Sequence, residues 1–243
     1  MIIVRGAGDL ATGTIYELHK AGYRVLALEC ARPTAIRREV AFSEAVYDGV
    51  KEVEGVTARK ISSVEEVATV WEKGEIPVLI DAEGKSIEAL RPLAVADLIL
   101  AKKNLGTKID DAPLVIALGP GFSAGEDCHA VIETMRGHTL GRVIRNGPAI
   151  PNTNIPGLIG GFAGERVLRA PDDGIFHQLH AIGDLVEAGE TVGEVNGKPM
   201  ACTISGVLRG ILADGTPVFK GMKSGDVDPR AQAENCYTAS DKA

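Results

Sequence analysis

The first thirty residues alternate between apolar runs and a stretch with helical spacing. Residues 1–5 form an apolar run that enters a glycine turn, and a second apolar run ends at Glu29. Between them, apolar side chains recur at near-helical intervals until Gly22, at Leu10, Ile15, Leu18 and Ala21. This pattern predicts a buried strand, a turn, an amphipathic helix and a second buried strand.

The turn after the first strand has the spacing of a dinucleotide-binding motif. Gly6, Gly8 and Ala11 fit G-x-G-x-x-G/A, and Glu29 follows Gly8 by 21 residues, where an acidic side chain contacts a ribose hydroxyl. The motif predicts a Rossmann-like domain. Asp9 is a favourable helix cap, but its carboxylate would repel a pyrophosphate at the helix N-terminus. We therefore expect an anionic cofactor, held chiefly by the arginines that follow Glu29, rather than an ordinary dinucleotide.

The alternation of strands and helices continues to about residue 150. The apolar runs at 76–80 and 113–118 predict buried parallel strands. Residues 62–66 contain a capping box that predicts a helix start, and residues 93–105 predict another helix closed by Gly106. Together these elements predict an α/β domain over residues 1–164, with a mostly parallel sheet and helices on both faces.

The second half of the chain contains an internal repeat. From about Val167, glycine and β-branched residues replace the helical pattern, and glycines and valines recur at an offset of 32 residues. The matched pairs are Gly174 and Gly206, Gly183 and Gly215, Val186 and Val218, Gly189 and Gly221, Gly193 and Gly225, and Val195 and Val227. Two copies of a short β motif predict a quasi-twofold all-β module over residues 165–230, followed by a tail at 231–243.

The repeat resembles the lipoyl and biotinyl carrier domains in residues 170–174 and 182–190, which implies a barrel-sandwich hybrid. Such a domain carries its cofactor on a lysine at a hairpin, and here Lys198 follows a tight Asn196-Gly197 turn. The residues that normally flank a modified lysine are absent. A structural module with an ordinary exposed lysine is therefore the favoured interpretation.

The amino-acid composition argues against several classes of protein. A net charge of −7 and an aromatic content of 4% argue against a nucleic-acid platform, which needs basic surface and stacking rings. There is no apolar run of membrane-spanning length, and we expect no signal peptide before the first strand. The four cysteines lack a C-x-x-C pair, so we expect free thiols and no metal site in a cytoplasmic protein.

Two loops carry candidate ligand-binding residues. Arginines and a threonine follow Glu29 closely, at Arg32, Thr34, Arg37 and Arg38. Guanidinium groups match phosphate geometry, although a solvated helix start explains the cluster about equally well. Gly119 and Gly121 follow a buried strand and could form a backbone nest for an anion, or simply a tight exit that needs positive φ.

The densest polar set is Glu133, Arg136 and His138. As a group they could supply a general base, an anion clamp and a proton shuttle, whereas each residue alone is usually structural. Cys30 and Cys128 are candidates for carrying sulfur or selenium, because positive charge lowers a thiol pKa; the alternative is a small buried hydrophobe.

Several further runs, read with these motifs, resemble one known family almost end to end. They are residues 3–13, 32–38, 42–47, 101–107, 119–122, 131–138, 140–142 and 225–230. The family is that of the accessory proteins of selenium-dependent molybdenum hydroxylases. More remotely, the chain is similar to the xanthine dehydrogenase accessory proteins, which carry a Rossmann domain. The resemblance implies a role in maturing a molybdenum hydroxylase and supplies no established catalytic residues.

Three functional hypotheses follow. In the first, a maturation factor binds a nucleotide or the phosphate-bearing molybdenum cofactor, and its partner is the client hydroxylase. In the second, an NAD(P)-dependent oxidoreductase uses Glu133 or His138 for proton transfer. In the third, the chain is a non-catalytic scaffold. A homo-oligomer is compatible with each of them.

Overall fold

A computed structural model describes residues 1–153 and 156–243, which divide into two units. The first unit comprises Met1–Pro33, Ala41–Thr153 and Ser240–Ala243, and the second comprises Thr34–Val40 and Asn154–Ala239. This division differs from the expected boundaries, because residues 34–40 belong to the second unit and Ser240–Ala243 belong to the first. The change between the units also lies near residue 153 rather than 164.

The first unit contains one large sheet and short helices. Its helices are α1 (Asp9–Lys20), α2 (Ala45–Asp48), α3 (Val67–Glu72) and α4 (Ser86–Leu90), with 3₁₀ turns at Phe42–Glu44 and Val64–Glu66. Its strands are β1 (Ile2–Arg5), β2 (Val25–Glu29), β3 (Val50–Val53), β4 (Val56–Ile61), β5 (Ile76–Ile80), β6 (Ala94–Asp97), β7 (Leu114–Leu118), β8 (Ser123–Ala124), β9 (Ala130–Ile132), β10 (Val143–Ile144) and β11 (Gly147–Pro148).

The strand order of the large sheet places a crevice beside β1. Among the described residues the sheet has nine strands in the order β10-β9-β7-β6-β1-β2-β5-β4-β3. The strands from β9 to β4 run parallel, and β10 and β3 add antiparallel edges. The central run β5-β2-β1-β6-β7-β9 has the 3-2-1-4-5-6 order of doubly wound sheets. Its order reverses between β1 and β6, where such sheets bind ligands at their carboxyl edge.

The predicted elements at the start of the chain are confirmed. β1, α1 and β2 follow one another as the apolar pattern predicts, and residues 76–80 and 114–118 are parallel strands. The predicted capping box is present at the start of the Val64–Glu66 turn, where the Glu66 carboxylate accepts the backbone N–H of Ser63 at 3.1 Å.

The helix predicted over residues 93–105 is wrong. Ala94–Asp97 forms β6, paired with β1 on one side and β7 on the other. The residues after it include Leu100 and Lys102 with φ of 58° and 61°, which a helix cannot contain. Pairing in the middle of a sheet outweighs the helical propensity of alanine and leucine here.

The two faces of the sheet differ in how they are covered. Ile3 and Val95 pack in a buried cluster with Val67 of α3 and Ile87 of α4. Side chains alternate along a strand, so neighbouring positions point to the opposite face, where α1 lies. On that face a cavity separates Ile116 of β7 and the neighbouring side chains of β6 and β9 from side chains of α1. We call this part of the sheet the open face.

The second unit consists of antiparallel strands. They are β12 (Val167–Arg169), β13 (Gly174–Gln178), β14 (Leu185–Val186), β15 (Thr191–Val195), β16 (Lys198–Ala201), β17 (Gly206–Ile211), β18 (Pro217–Val218) and β19 (Lys223–Asp228). Short 3₁₀ turns occur at Arg38–Val40, Gly164–Arg166 and Ala233–Cys236. Within the described residues these strands form two four-stranded sheets, β12-β19-β17-β14 and β16-β15-β13-β18.

The 32-residue offset maps one of these sheets onto the other. It relates β13 to β17, β14 to β18, β15 to β19 and β12 to β16, so the two strand orders become identical. Each copy also lends two edge strands to the other. From the first copy, β12 and β14 pair with β19 and β17, and from the second copy, β16 and β18 pair with β15 and β13. One apolar cluster contains Phe176 and Val195 from the first copy and Leu208 and Val227 from the second. Each copy therefore buries its apolar face against the other.

Among the described residues, no helix combines the length and apolar character needed to cross a bilayer.

Candidate functional site

The carboxyl edge of the large sheet collects most of the candidate residues of the first unit. Gly6, Glu29, Asp97, Gly119 and Glu133 all lie at or just after the carboxyl ends of parallel strands. These strands are neighbours in the sheet, so the fold brings sequence-distant residues to one edge.

Of the two glycines in the turn before α1, the described backbone requires Gly6 but not Gly8 to be glycine. Gly6 has φ of 95°, and a Cβ there would lie 3.0 Å from the backbone N of Ile99. The fold therefore requires glycine at this position. Gly8 has ordinary extended angles, φ −64° and ψ 179°, and a Cβ there would meet nothing within 4 Å. Nothing in the described structure requires Gly8 to be glycine.

The start of α1 leaves its first amides without a side-chain cap. Gly8 is the N-cap and makes no side-chain cap hydrogen bond, and Asp9 is the first helical residue. The expectation that Asp9 caps this helix is therefore wrong. Asp9 still places a negative charge in the first turn, where it opposes a bound anion.

Glu29 is held by the backbone of the turn. One of its carboxylate oxygens accepts the N–H of Ala7 at 2.8 Å, and the other accepts the N–H of Cys30 at 2.7 Å. A carboxylate oxygen has two lone pairs, so each can still accept a hydroxyl hydrogen. The contact with Ala7 fixes the shape of the glycine turn.

A buried ion pair underlies the same edge and was not singled out by the sequence. Arg5, at the end of β1, lies 3.6 Å from Asp97 at the end of β6, and both side chains are 2% exposed. Thr107 bridges them, donating to Asp97 at 2.6 Å and accepting from Arg5. Arg5 also donates to the carbonyls of Ala82 and Leu105. The signal available in the sequence was an arginine that directly continues a buried strand.

Gly119 and Gly121 are explained by the fold itself. Both have positive φ, 74° and 110°. A Cβ on Gly119 would lie 2.7 Å from the Thr134 hydroxyl, and one on Gly121 would lie 2.5 Å from the backbone N of Lys103. The tight strand exit therefore accounts for both glycines, although their turn does lie at the candidate edge.

Glu133, Arg136 and His138 do not form one constellation. Glu133 is buried, and its two oxygens accept the backbone N–H groups of Met135 at 2.6 Å and Ile150 at 2.8 Å. Arg136 donates to both carboxylate oxygens of Asp241, at 2.7 and 2.9 Å. His138 is exposed. Glu133 thus holds the loop that follows β9, and Arg136 attaches the Ser240–Ala243 segment to it.

The arginine loop is divided between the two units. Arg32 is exposed in the first unit, whereas Thr34, Arg37 and Arg38 belong to the second. Arg37 is buried and donates at 2.9 Å to the carbonyls of both Asn235 and Thr238.

Arg38 also makes a contact within its own unit, donating to the side chain of Gln178 at 3.1 Å. Arg37 and Arg38 therefore help to hold the second unit together, which the sequence did not indicate.

The cysteines lack the environment of a reactive thiol. Burial, followed by the charge of Glu29, raises the pKa of Cys30 to about 11. Burial raises the pKa of Cys128, and the charge of Asp127 adds to the effect. A thiol that stays protonated at neutral pH is a poor nucleophile. The alternative of small buried hydrophobes therefore fits these residues better than a sulfur carrier.

The Ser240–Ala243 segment packs against α1. A Cβ on Gly13 of α1 would lie 2.4 Å from the carbonyl carbon of Ala243, so glycine permits this close approach. Lys242 of the same segment is half-buried and borders the cavity on the open face. The cavity has a volume of about 650 Å³ and is lined mainly by apolar side chains, among them Leu10, Leu18, Leu114 and Ile116.

Comparison of the chain with known proteins identifies a homologous protein but assigns no function. No family model matches the chain. The chain is 48% identical over 243 residues to the uncharacterized protein YqeB of Escherichia coli K12, a match that covers 100% of this chain and 45% of YqeB. The two proteins are homologous. This chain spans about half the length of that relative.

The solved structures that match are distant. The product-bound ectoine utilization protein EutE (DoeB) from Ruegeria pomeroyi is 13% identical, with 84% of this chain and 57% of that chain covered and a TM-score of 0.26. An aspartoacylase family protein from Mesorhizobium loti is 10% identical, with 91% and 62% covered and a TM-score of 0.28. Scores at this level leave function to be argued from the chain's own residues.

Proposed function

We propose that the first unit binds a phosphate-bearing ligand, a nucleotide or the molybdenum cofactor, at the carboxyl edge between β1 and β6. In this proposal the protein is a cytoplasmic accessory factor that acts on a client molybdenum hydroxylase, the role that its motif resemblance implies. The doubly wound strand order supplies the crevice, and the start of α1, which has no side-chain cap, supplies backbone N–H groups for the phosphate. The N–H groups of Gly6 and Ala7 in the preceding turn already donate to the Leu28 carbonyl and to the Glu29 carboxylate.

The observation that carries the proposal is Gly8. Its backbone angles suit any residue, and the space beside it is open. In dinucleotide-binding turns the second glycine lets the backbone approach a phosphate closely. A ligand that occupies the open space beside Gly8 explains a glycine that the described fold does not require.

The charges around the edge favour one class of ligand over another. Asp9 lies in the first turn of α1, so a pyrophosphate carrying its full charge is opposed there. Lys102 adds a positive charge in the same unit, whereas Arg136 is already paired with Asp241. We therefore expect a ligand with one phosphate group and an uncharged body, such as a pterin monophosphate, to bind more tightly than a dinucleotide.

For the second unit we propose a barrel-sandwich hybrid that serves as a docking or stabilising module rather than a cofactor carrier. The exchanged strands and shared core support this fold. Lys198, the lysine that a carrier domain would modify, is exposed but lies 2.7 Å from the Asp172 carboxylate.

The binding experiment compares Gly8→Ala with Gly164→Ala. Gly164 also has open space at its Cβ position and lies in the second unit, so it is a matched control. Calorimetric titration with NADPH, NADH and a pterin monophosphate should show binding by the natural chain and by Gly164→Ala. Gly8→Ala should weaken binding at least tenfold, while its thermal stability changes by about 1 kcal/mol or less, the scale of an N-cap exchange.

The outcomes separate the hypotheses. Equal affinity of Gly8→Ala and the natural chain refutes a ligand at this turn. Binding and turnover of NADPH would favour the oxidoreductase alternative. The maturation role is tested separately, by adding the protein to its client hydroxylase during assembly and measuring hydroxylase activity. A client that matures equally well without the protein contradicts that role.

A further inference from the structure

A lysine in the lining of the open-face cavity has the setting of a nucleophilic amine. Lys242 borders the cavity together with side chains of α1, β6, β7 and β9. Its position is fixed on both sides along the chain, because Asp241 pairs with Arg136 and Ala243 packs on Gly13. The residues on both sides of Lys242 are therefore anchored to the first unit.

Charged side chains on several neighbouring elements act on the pKa of Lys242. Burial lowers the pKa of the ammonium group, and Arg136 and Lys102 act in the same direction. Asp9 of α1 and Glu133 oppose them but do not compensate fully. At neutral pH a larger fraction of Lys242 is thus the neutral amine than for a solvated lysine, as for lysines activated by burial or by a neighbouring cation.

The cavity beside this amine suits an uncharged, largely apolar molecule. Its volume of about 650 Å³ lies within the range of small-molecule sites. Leu114, Ile116 and Leu118 of β7 form an apolar floor, and Thr14 and Thr134 supply hydroxyl groups. This arrangement, an apolar cavity with a lysine in its lining, fits a carbonyl compound with a hydrocarbon chain or ring.

We propose that Lys242 forms an imine with an apolar aldehyde or ketone bound in the open-face cavity. The neutral amine adds to the carbonyl carbon, and one amine proton moves to the carbonyl oxygen to give a carbinolamine. The second amine proton then leaves with that oxygen as water, and the C=N bond forms. Amine and carbonyl are thereby converted to imine and water, with no oxidant or reductant. The site lies on the sheet face and is independent of the phosphate ligand proposed above.

The experiment traps the imine on the full-length chain. Hexanal is added at pH 7 with cyanoborohydride, which reduces an imine to a stable secondary amine, and the labelled lysine is located by peptide mass spectrometry. Lys242 should be labelled at least tenfold faster than Lys103, an exposed lysine of the same unit. Lys242→Arg should remove the fast label, whereas Lys103→Arg should leave it unchanged.

A cavity-filling variant distinguishes labelling that depends on the cavity from the general reactivity of exposed lysines. Ala96 lines the cavity, so Ala96→Phe should slow labelling of Lys242 by hexanal but not by formaldehyde, which needs no apolar space. Gly8→Ala should be labelled as fast as the natural chain, which keeps this test distinct from the phosphate proposal. Labelling of Lys242 no faster than Lys103, or hexanal labelling unaffected by Ala96→Phe, overturns the proposal.

Discussion

Replacing Asp226 with asparagine should strongly destabilise the second unit. The Asp226 carboxylate accepts from Arg166 at 2.9 Å and from the Nε of Arg209 at 2.8 Å. The side chains of Asp226, Arg166 and Arg209 are only 2%, 4% and 12% exposed. Asp226→Asn keeps the size of the side chain but removes the charge that compensates the two guanidinium groups.

The expected loss of stability follows from the partners that the two arginines keep after Asp226 is changed. Arg209 keeps a second carboxylate, Asp228, at 3.5 Å, whereas Arg166 keeps, among the described residues, a hydrogen bond to the carbonyl of Gly157 at 3.5 Å. Breaking a buried ion pair by changing one partner costs about 3–5 kcal/mol. With a urea slope of about 1–3 kcal/mol per molar, the unfolding midpoint of the second unit should fall by roughly 1–5 M.

The assay is urea unfolding followed by circular dichroism, with Asp172→Asn as the control. Asp172 also pairs with a cation, Lys198, but on the surface, so its loss should leave the midpoint unchanged within error. If Asp226→Asn fails to fold, a triple change to Asp226→Leu, Arg166→Met and Arg209→Met tests the same reasoning, because apolar replacement of a buried ion pair is often neutral or stabilising. Asp228 keeps its pairing with Arg230 in this variant. A midpoint for Asp226→Asn equal to that of Asp172→Asn would refute the argument.

Two further predictions concern the segment on α1 and the response to acid. Gly13→Ala should displace Ser240–Ala243, because the new Cβ would lie 2.4 Å from Ala243, and hydrogen exchange of that segment should increase while that of β5 stays unchanged. Burial alone would raise the pKa of Asp228, but hydrogen bonds from Arg230 and the charge of Arg209 outweigh it and hold that pKa below its usual range. A carboxyl group with a lowered pKa in the folded state stabilises the protein above its unfolded-state pKa, and this stability is lost as the pH falls through the folded-state pKa. Arg230→Gln removes part of the cause of the lowered pKa. Its free energy of unfolding should therefore decline less than that of the natural chain as the pH is lowered through the acidic range.

The elements predicted well were those whose sequence pattern and environment agree. β1, α1 and β2 have clean periodicities and lie where the pattern predicts. Residues 93–105 failed because a short alanine-rich run fits a helix or a buried strand equally well until its neighbours are known. The pairing of β6 with β1 and β7 is information that no local window contains.

The candidate site was predicted less completely, because its contacts join distant parts of the chain. The distance along the sequence from Arg136 to Asp241 is 105 residues, and Arg5 reaches Thr107 across 102. The arginines at 37 and 38 look like a phosphate loop in the sequence, yet they donate hydrogen bonds to residues of the second unit. Sequence spacing shows which groups are available, and the fold decides which of them are already engaged.

The exchange of β14 and β18 determines how the second unit can fold. Neither copy of the repeat contains a complete sheet, so a chain with only one copy in place lacks the pairing partner for an edge strand and half of the apolar core. Loop closure between the copies must therefore precede most of the stabilising contacts, which makes folding slow and dominated by non-local contacts. Because of the same strand exchange, we expect no stable state in which one copy alone is folded. This unit should therefore unfold in a single cooperative transition.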